Sequence, residues 1–167
     1  MSQYSLICLL DLCTGCRSCE VACKQENSLP VGTNWMQVVQ IGPRKAGNKL
    51  AMDFVPTHCM HCVKPPCLPA CPLGAITKRS DGIVLVNQEL CDGCLACLEA
   101  CPFGVMQLNP ETGTVGMCTL CAHRVDEGLV PSCVHHCQAK CLKFGETNKL
   151  AAIQRTRAAR KRVLSVM

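Results

Sequence analysis

Apolar and polar positions alternate along this chain only in short bursts, and each burst predicts a strand of a few residues. Residues 4–10 and 83–86 read as strands, rich in Leu, Ile and Val. Residues 36–41 and 50–55 read as two more, set around a loop at 42–48 inside a cysteine-free segment bounded by Pro30 and Pro56. Residues 105–108 and 114–117, joined by 109–113, have the look of a hairpin. From Thr147 onward the pattern changes. No Pro or Gly interrupts it, Leu150, Ile153, Val163 and Leu164 give a partial apolar face, and Thr147 suits an N-cap, so a C-terminal helix is expected. No apolar run approaches the roughly 20 residues of a membrane span. Residues 5–12 are mostly apolar, but no basic residue precedes them and a cysteine motif begins at Cys13, so a removable signal peptide is not expected.

Composition changes this picture sharply. Of 167 residues, 18 are cysteine and only five are aromatic, so cysteine exceeds the roughly 8–10% at which composition alone signals cross-linking or metal binding. The 49% hydrophobic content counts those cysteines; without them the apolar fraction falls to about 38%. So thin a core needs another source of cohesion. Disulfides require an oxidising compartment, to which nothing in the chain addresses it, so reduced, metal-bound cysteines in the cytoplasm are expected.

The cysteines fall into four quartets. Cys13, Cys16, Cys19 and Cys23 are spaced CxxCxxCxxxC, and Cys91, Cys94, Cys97 and Cys101 repeat that spacing with Pro102 after it. Cys59, Cys62, Cys67 and Cys71 have a longer gap before the third member and end on Pro72. Cys118, Cys121, Cys133 and Cys137 separate their second and third members by eleven residues. CxxCxxCxxxCP is the bacterial ferredoxin pattern, in which three close thiolates hold one iron–sulfur cube and the fourth reaches another. Zinc has no use for three cysteines in a row plus a remote fourth. Four quartets therefore predict four 4Fe-4S clusters in two exchanging pairs, with spacing leaving open which quartets exchange.

The stretches Cys13-Thr-Gly-Cys16-Arg-Ser-Cys19, His58-Cys59-Met60-His61-Cys62-Val-Lys-Pro-Pro-Cys67, Cys71-Pro-Leu-Gly-Ala, Cys91-Asp-Gly-Cys94 and Cys118-Thr-Leu-Cys121 resemble a known family. It comprises the four-cluster ferredoxin subunits that accompany molybdenum or tungsten pterin oxidoreductases, among them dimethyl sulfoxide reductase, formate dehydrogenase, polysulfide reductase and tungsten aldehyde oxidoreductase. The resemblance runs from residue 4 to about 146 and implies exchange of the first quartet with the fourth and the second with the third. Carried onto this chain, it implies one cluster on Cys13, Cys16, Cys19 and Cys137 and a second on Cys118, Cys121, Cys133 and Cys23. The inner pair would use Cys59, Cys62, Cys67 with Cys101, and Cys91, Cys94, Cys97 with Cys71.

The implied architecture is α+β: two ferredoxin-like pseudo-repeats, each holding two 4Fe-4S clusters, plus a basic C-terminal helix. The outer module takes residues 1–29 and 111–146, a β insertion 30–55, the inner module 56–110 and the helical tail 147–167. Gln138 stands where other quartets have proline, and Lys140-Cys141 where Gly-Ala is usual, so a locally different turn is expected there. Cys8 and Cys141 are read as small buried core residues. His58, His61, His123, His135 and His136 flank the quartets and are expected to supply a hydrogen bond to sulfur, with Lys64 and Arg17 tuning potentials in the same way.

No dinucleotide loop, nucleophile elbow or pterin-sized domain is present, so the chain is expected to be a non-catalytic electron-transfer subunit. Its partners would be a large molybdenum or tungsten pterin subunit, that of an aldehyde oxidoreductase included, and a flavin subunit using NAD or a soluble ferredoxin. A free polyferredoxin or a hydrogenase-linked carrier is the alternative. The formal charge of +5 drops to about −3 once four clusters of about −2 each are counted. The basic tail, Lys149, Arg155, Arg157, Arg160, Lys161 and Arg162, is therefore read as a docking or self-association element or a solvated helix, not a nucleic-acid site.

Overall fold

The computed structural model describes residues 3–164; residues 1–2 and 165–167, the extremes of the outer module and of the tail, lie outside the described residues. Strands as short as these cannot build a wide sheet, and they form four separate antiparallel ribbons. β1 (Tyr4–Cys8) pairs with β8 (Leu142–Glu146), from Tyr4 opposite Glu146 to Cys8 opposite Leu142. Leu6 and Leu142 are buried beneath this ribbon. Across it Tyr4 and Phe144 stack with ring centroids 5.2 Å apart, a diagonal pair of the kind that steadies a two-stranded ribbon. Segments almost a whole chain length apart are thereby joined.

The cysteine-free segment forms the longest ribbon, β2 (Gln37–Ala46) with β3 (Lys49–Thr57). The loop expected at 42–48 shrinks to the two residues Gly47 and Asn48, with Gly47 at φ 60°, as tight hairpins favour. Gly42 and Pro43 break the alternation without breaking the ribbon, because the register shifts between Ile41 and Arg44 and pairing resumes. Only Val38 of β2 is buried; its N–H donates to Glu20 Oε1, which ties the base of the hairpin to the first cysteine helix.

β4 (Ile76–Lys78) pairs with β5 (Val84–Val86), and β6 (Gln107–Leu108) with β7 (Val115–Gly116). The last two strands are shorter than their apolar runs, since Val105, Met106 and Met117 turn into the core instead of extending the ladder. β4 is a strand that the alternation does not predict, although Asp81-Gly82 is a turn signal; Gly82, at φ 90°, donates to Arg79 O at 3.0 Å and closes that turn. The strand expected at 4–10 ends at Cys8, where Leu9 N–H bonds Cys141 O at 2.9 Å and Leu10–Leu12 curl into a 3₁₀ turn leading to Cys13.

Five short helices accompany the cysteine motifs: α1 (Ser18–Glu26), α2 (Cys67–Ala70), α3 (Ala96–Ala100), α4 (Ala122–Asp126) and α5 (Ser132–His135). α1 packs on α5, and α2 on α3. α6 (Thr147–Leu164) runs straight out of β8. Thr147 is its first residue, not a cap, and its hydroxyl donates to Gln3 O at 2.8 Å. The expected apolar face reduces to Leu150, the one buried residue of the helix, while Ile153, Val163 and Leu164 stay exposed. Arg157 and Lys161 reach Asp11 at 2.8 and 3.1 Å, so part of the basic set is used within the chain.

The core interleaves Met36, Ile76, Ile83, Val84, Met106, Val115, Met117 and Leu120 with cysteines of all four quartets. Backbones approach closely within it. A Cβ on Gly93, at φ 73°, would lie 2.1 Å from Gly113 O, whereas one on Gly74, at φ 63°, would meet nothing within 4 Å. Gly74→Ala should cost only the left-handed penalty of about 1–2 kcal/mol, and Gly93→Ala roughly 3 kcal/mol or more, since backbone must move as well. Anaerobic denaturant midpoints of the two variants check this; equal losses would show that the contact with Gly113 is not a constraint.

Candidate metal centres

Each CxxC is curled by one residue of left-handed backbone directly before its second cysteine: Gly15 (φ 70°), His61 (44°), Gly93 (73°) and Leu120 (51°). Glycine does this freely. His61 and Leu120 do it against a penalty of about 1–2 kcal/mol, which persists only where the surroundings enforce the conformation. The curl also turns backbone N–H groups toward sulfur: His61 N–H lies 3.4 Å from Cys59 Sγ, and Leu120 N–H 3.4 Å from Cys118 Sγ. Arg17 and Leu95 are left-handed too, at 60° and 65°, immediately before α1 and α3 bring in Cys19 and Cys97.

The fourth cysteines of three quartets open one recurring turn. Cys71 and Cys101 accept from Gly74 and Gly104 N–H, both at 3.2 Å, and Ala75-Ile76 and Val105-Met106 then bury. In the last quartet Cys137 accepts from Lys140 N–H at 3.0 Å, Lys140 takes φ 51°, and Cys141-Leu142 bury. The different turn expected there from Gln138 and Lys140 is therefore not found; Lys140 adopts the glycine conformation. Cys23 is the exception, lying within α1, where Asn27 Nδ2 donates to its carbonyl at 2.9 Å and faces its sulfur at 3.7 Å.

These turns arrange thiols around small voids. One is lined by Cys13, Cys16, Cys19, Cys137 and Cys141. A second is lined by Cys23, Cys118, Cys121 and Cys133, with Trp35 and Met36. Cys59, Cys62, Cys67 and Cys101 line a third, closed by prolines and Phe103. Among the described residues no three His, Cys, Asp or Glu side chains converge on a point where a single ion would sit; the sulfurs surround voids. The remaining four cysteines are more open: Cys94 is exposed and Cys71 and Cys91 half-buried. Cys97 neighbours Cys91 and Cys71. Ala75 N–H reaches Cys71 Sγ, and Val115 N–H reaches Cys91 Sγ, each at 3.3 Å.

Thiols of successive sets are near enough to influence one another electrostatically. Cys133 interacts electrostatically with Cys118, Cys121, Cys23 and, in the first set, Cys19. Cys118 and Cys59 neighbour one another, linking the second set to the third. Cys97 and Cys67 link the third to the fourth. The two exposed cysteines, Cys16 and Cys94, belong to the first and last members of this series. Beside Cys16 lies an open groove lined by Val21, Gln25, Glu26, Ser132, His136 and Gln138.

Electrostatics state what the voids need. Burial pushes the thiols of Cys19, Cys23 and Cys59 up to about 12, and burial raises Cys118 and Cys133 as well. Cys16, near the surface, is instead lowered by hydrogen bonding to Ser18. Buried thiols so disposed hold neutral protons at pH 7 unless a cation takes their place. A cationic iron–sulfur core supplies that charge, and soft thiolate donors suit it. Donor type, enclosure and backbone N–H groups aimed at sulfur all fit such a group.

The close histidine hydrogen bonds go to backbone and carboxylate, while His61 Nε2 is buried with no partner within the chain. His58 Nδ1 bonds Cys59 O at 2.8 Å, and His61 Nδ1 accepts Val84 N–H at 3.0 Å. Burial lowers His61 to about 4, which keeps it neutral. His123 pairs with Glu26, and His136 with Ser132 O. In these bonds the rings serve backbone and carboxylate, and backbone amides serve sulfur. Ser18 and Asn27, which do face Cys16 and Cys23, are not marked by the cysteine motifs; Asn27 carries a signal all the same, standing one helical turn beyond Cys23.

Comparison with known proteins agrees with this chemistry. A family model described as a 4Fe-4S dicluster domain matches residues 50–147. A tetrathionate reductase subunit of Salmonella typhimurium is 41% identical over 140 residues, covering 81% of this chain and 54% of that relative. The thiosulfate reductase electron transfer subunit of Salmonella typhi is 41% identical over 156 residues, covering 92% and 81%. The formate dehydrogenase iron-sulfur subunit of Wolinella succinogenes is 36% identical over 172 residues, covering 89% and 84%. The chain thus spans from about half to more than four fifths of the length of these relatives. With four thiol sets of the required donor type, this chain belongs to the 4Fe-4S dicluster domain family.

Proposed function

We propose that this chain is the electron-transfer subunit of a molybdenum or tungsten pterin oxidoreductase and holds four 4Fe-4S clusters. The reading carries the ligand sets that the family resemblance implies: Cys13, Cys16, Cys19 and Cys137; Cys118, Cys121, Cys133 and Cys23; Cys59, Cys62, Cys67 and Cys101; Cys91, Cys94, Cys97 and Cys71. Bound clusters supply one-electron chemistry, which protein side chains cannot. What this chain's residues contribute is order, exclusion of water and hydrogen bonds to sulfur. The observation that carries the reading is the arrangement of the thiols, grouped around separate voids, with only the first and last sets exposing a cysteine. A storage or purely structural metal site has no need of that order.

Two ferredoxin-like pseudo-repeats account for the arrangement. The inner unit is continuous, around α2 and α3, and the outer is assembled by the β1–β8 ribbon from the two ends of the chain. The relatives are named for reductases of tetrathionate and thiosulfate and for formate dehydrogenase, which favours a catalytic partner of that type over an aldehyde oxidoreductase. A flavin subunit using NAD or a soluble ferredoxin would occupy the other end. Among the described residues no helix is long and apolar enough to cross a membrane.

The deciding experiment is metal analysis of the complex purified anaerobically. About sixteen irons per chain, as four cubes require, with molybdenum or tungsten in a co-purifying large subunit, is the expected result. Sixteen irons with neither metal would instead identify a free or hydrogenase-linked polyferredoxin.

Ligand exchange has a sharper test. Cys23→Ser and Cys118→Ser should disturb the same cluster signal in electron paramagnetic resonance spectra; if Cys23→Ser disturbs the signal that Cys16→Ser disturbs, the outer pairing is wrong. The exposed basic helix α6 is read as a docking element for an acidic surface. Arg155→Ala combined with Arg160→Ala, at exposed positions outside the Asp11 contacts, should leave iron content unchanged and weaken binding to the large subunit at low salt by about tenfold, the sum of two exposed charge contacts of up to about 1 kcal/mol each. Unaltered affinity would assign α6 to solvent.

A further inference from the structure

Two cysteines lie outside the four quartets, and both stand against the set formed by Cys13, Cys16, Cys19 and Cys137. Cys141 is buried, with 3% of its surface exposed, and lines the void shared by Cys13, Cys16, Cys19 and Cys137. Its sulfur is 3.4 Å from Cys137 Sγ. Cys8, opposite Leu142 in the β1–β8 ribbon, interacts with Cys141, Cys13 and Cys137. Packing does not require a thiol at position 141. The equivalent positions in the other two copies of this turn are Ala75 and Val105, both buried without one. In the Cys71 copy, Ala75 supplies a backbone N–H to the ligand sulfur at 3.3 Å; at Cys137 the neighbouring polar group is the Cys141 side chain.

We propose that Cys141 is not a ligand but a potential-setting residue: its S–H donates a hydrogen bond to the Cys137 thiolate, with Cys8 closing the same side of the site. A donor at a ligand sulfur stabilises the reduced cluster, the more negative state, over the oxidised one and raises its potential. Because the other turns carry Ala75 and Val105, this acts on one end of the series alone. Electrons are thereby biased toward or held at the end that exposes Cys16. The inference rests on the ligand sets proposed above.

The test uses the full chain, purified anaerobically with its clusters, as wild type, Cys141→Ala, Cys141→Ser, Cys8→Ala and Cys137→Ser. Iron is counted and each cluster is titrated by redox-poised electron paramagnetic resonance. Cys141→Ala reproduces the side chain found at position 75 and should retain full iron. The cluster perturbed by Cys137→Ser should then become harder to reduce, its reduced fraction at fixed ambient potential falling about two- to tenfold, the value of one net hydrogen bond, where tenfold is about 59 mV for one electron. Cys141→Ser keeps a donor and should restore the wild-type midpoint. Cys8→Ala should move the same midpoint and no other. Full iron with four unmoved midpoints in Cys141→Ala would overturn the inference while leaving the ligand sets intact. Loss of about four irons in Cys141→Ala, with full iron in Cys137→Ser, would overturn the ligand assignment itself.

Discussion

A thiol buried among apolar side chains keeps its proton, and a thiolate buried there without a cation is unstable by several kcal/mol. This fold places ten cysteines out of contact with water and raises most of them by burial. Its interior is therefore incomplete as protein alone. A domain of this length ordinarily fills its centre with aromatic and aliphatic side chains; here the centre holds voids ringed by thiols and lined otherwise by residues such as Val38 and Leu142, Met36 and Pro131, or Met106 and Phe103. Cohesion comes from what joins thiols, and the ribbons and short helices are brackets around the voids. Metal binding and folding are the same free energy in such a system.

That constraint explains the modest secondary structure. A strand of three residues or a helix of four is not stable alone, yet β4, α2 and α5 are no longer than that. Three of the helices end where a thiol must be delivered: α2 at Cys71, α3 at Cys101, α5 just before Cys137. Left-handed residues at His61, Leu120 and Lys140 carry strain that a helix-rich domain would have removed. At His61 and Leu120 the strain points backbone N–H groups at sulfur, where a negatively charged cluster would need them.

The sites were more legible in the sequence than the fold. Cysteine spacing is a covalent fact that tertiary packing does not override, so all four quartets could be read directly, and the void lining groups the thiols in ways that spacing alone left open. Strand limits were harder. Gly42-Pro43 looked like a loop because it breaks the alternation, but a bulge absorbs it. Ile76-Thr77-Lys78 is too short for periodicity to register. The histidines could not be oriented from sequence: proximity to Cys59 and Cys62 says nothing about which way an imidazole turns. Val84 N–H and Cys59 O take one nitrogen of each ring, and His61 Nε2 is left buried without a partner in the chain.

The position of the β1–β8 ribbon gives the chain its directional character. By joining the two ends of the sequence it places Cys13, Cys16 and Cys19 beside Cys137, and it leaves the continuous inner segment to hold the rest. Any chain fluctuation that frays this ribbon opens the first thiol set and leaves the third untouched, since termini are where local unfolding begins. Tyr4 stacked on Phe144, Thr147 bonded to Gln3 O, and Arg157 and Lys161 on Asp11 all lie across this seam. Helix α6 thus has a second role besides any docking: packed on β1 and β8, its buried Leu150 and its two ion pairs hold the ends of the chain together.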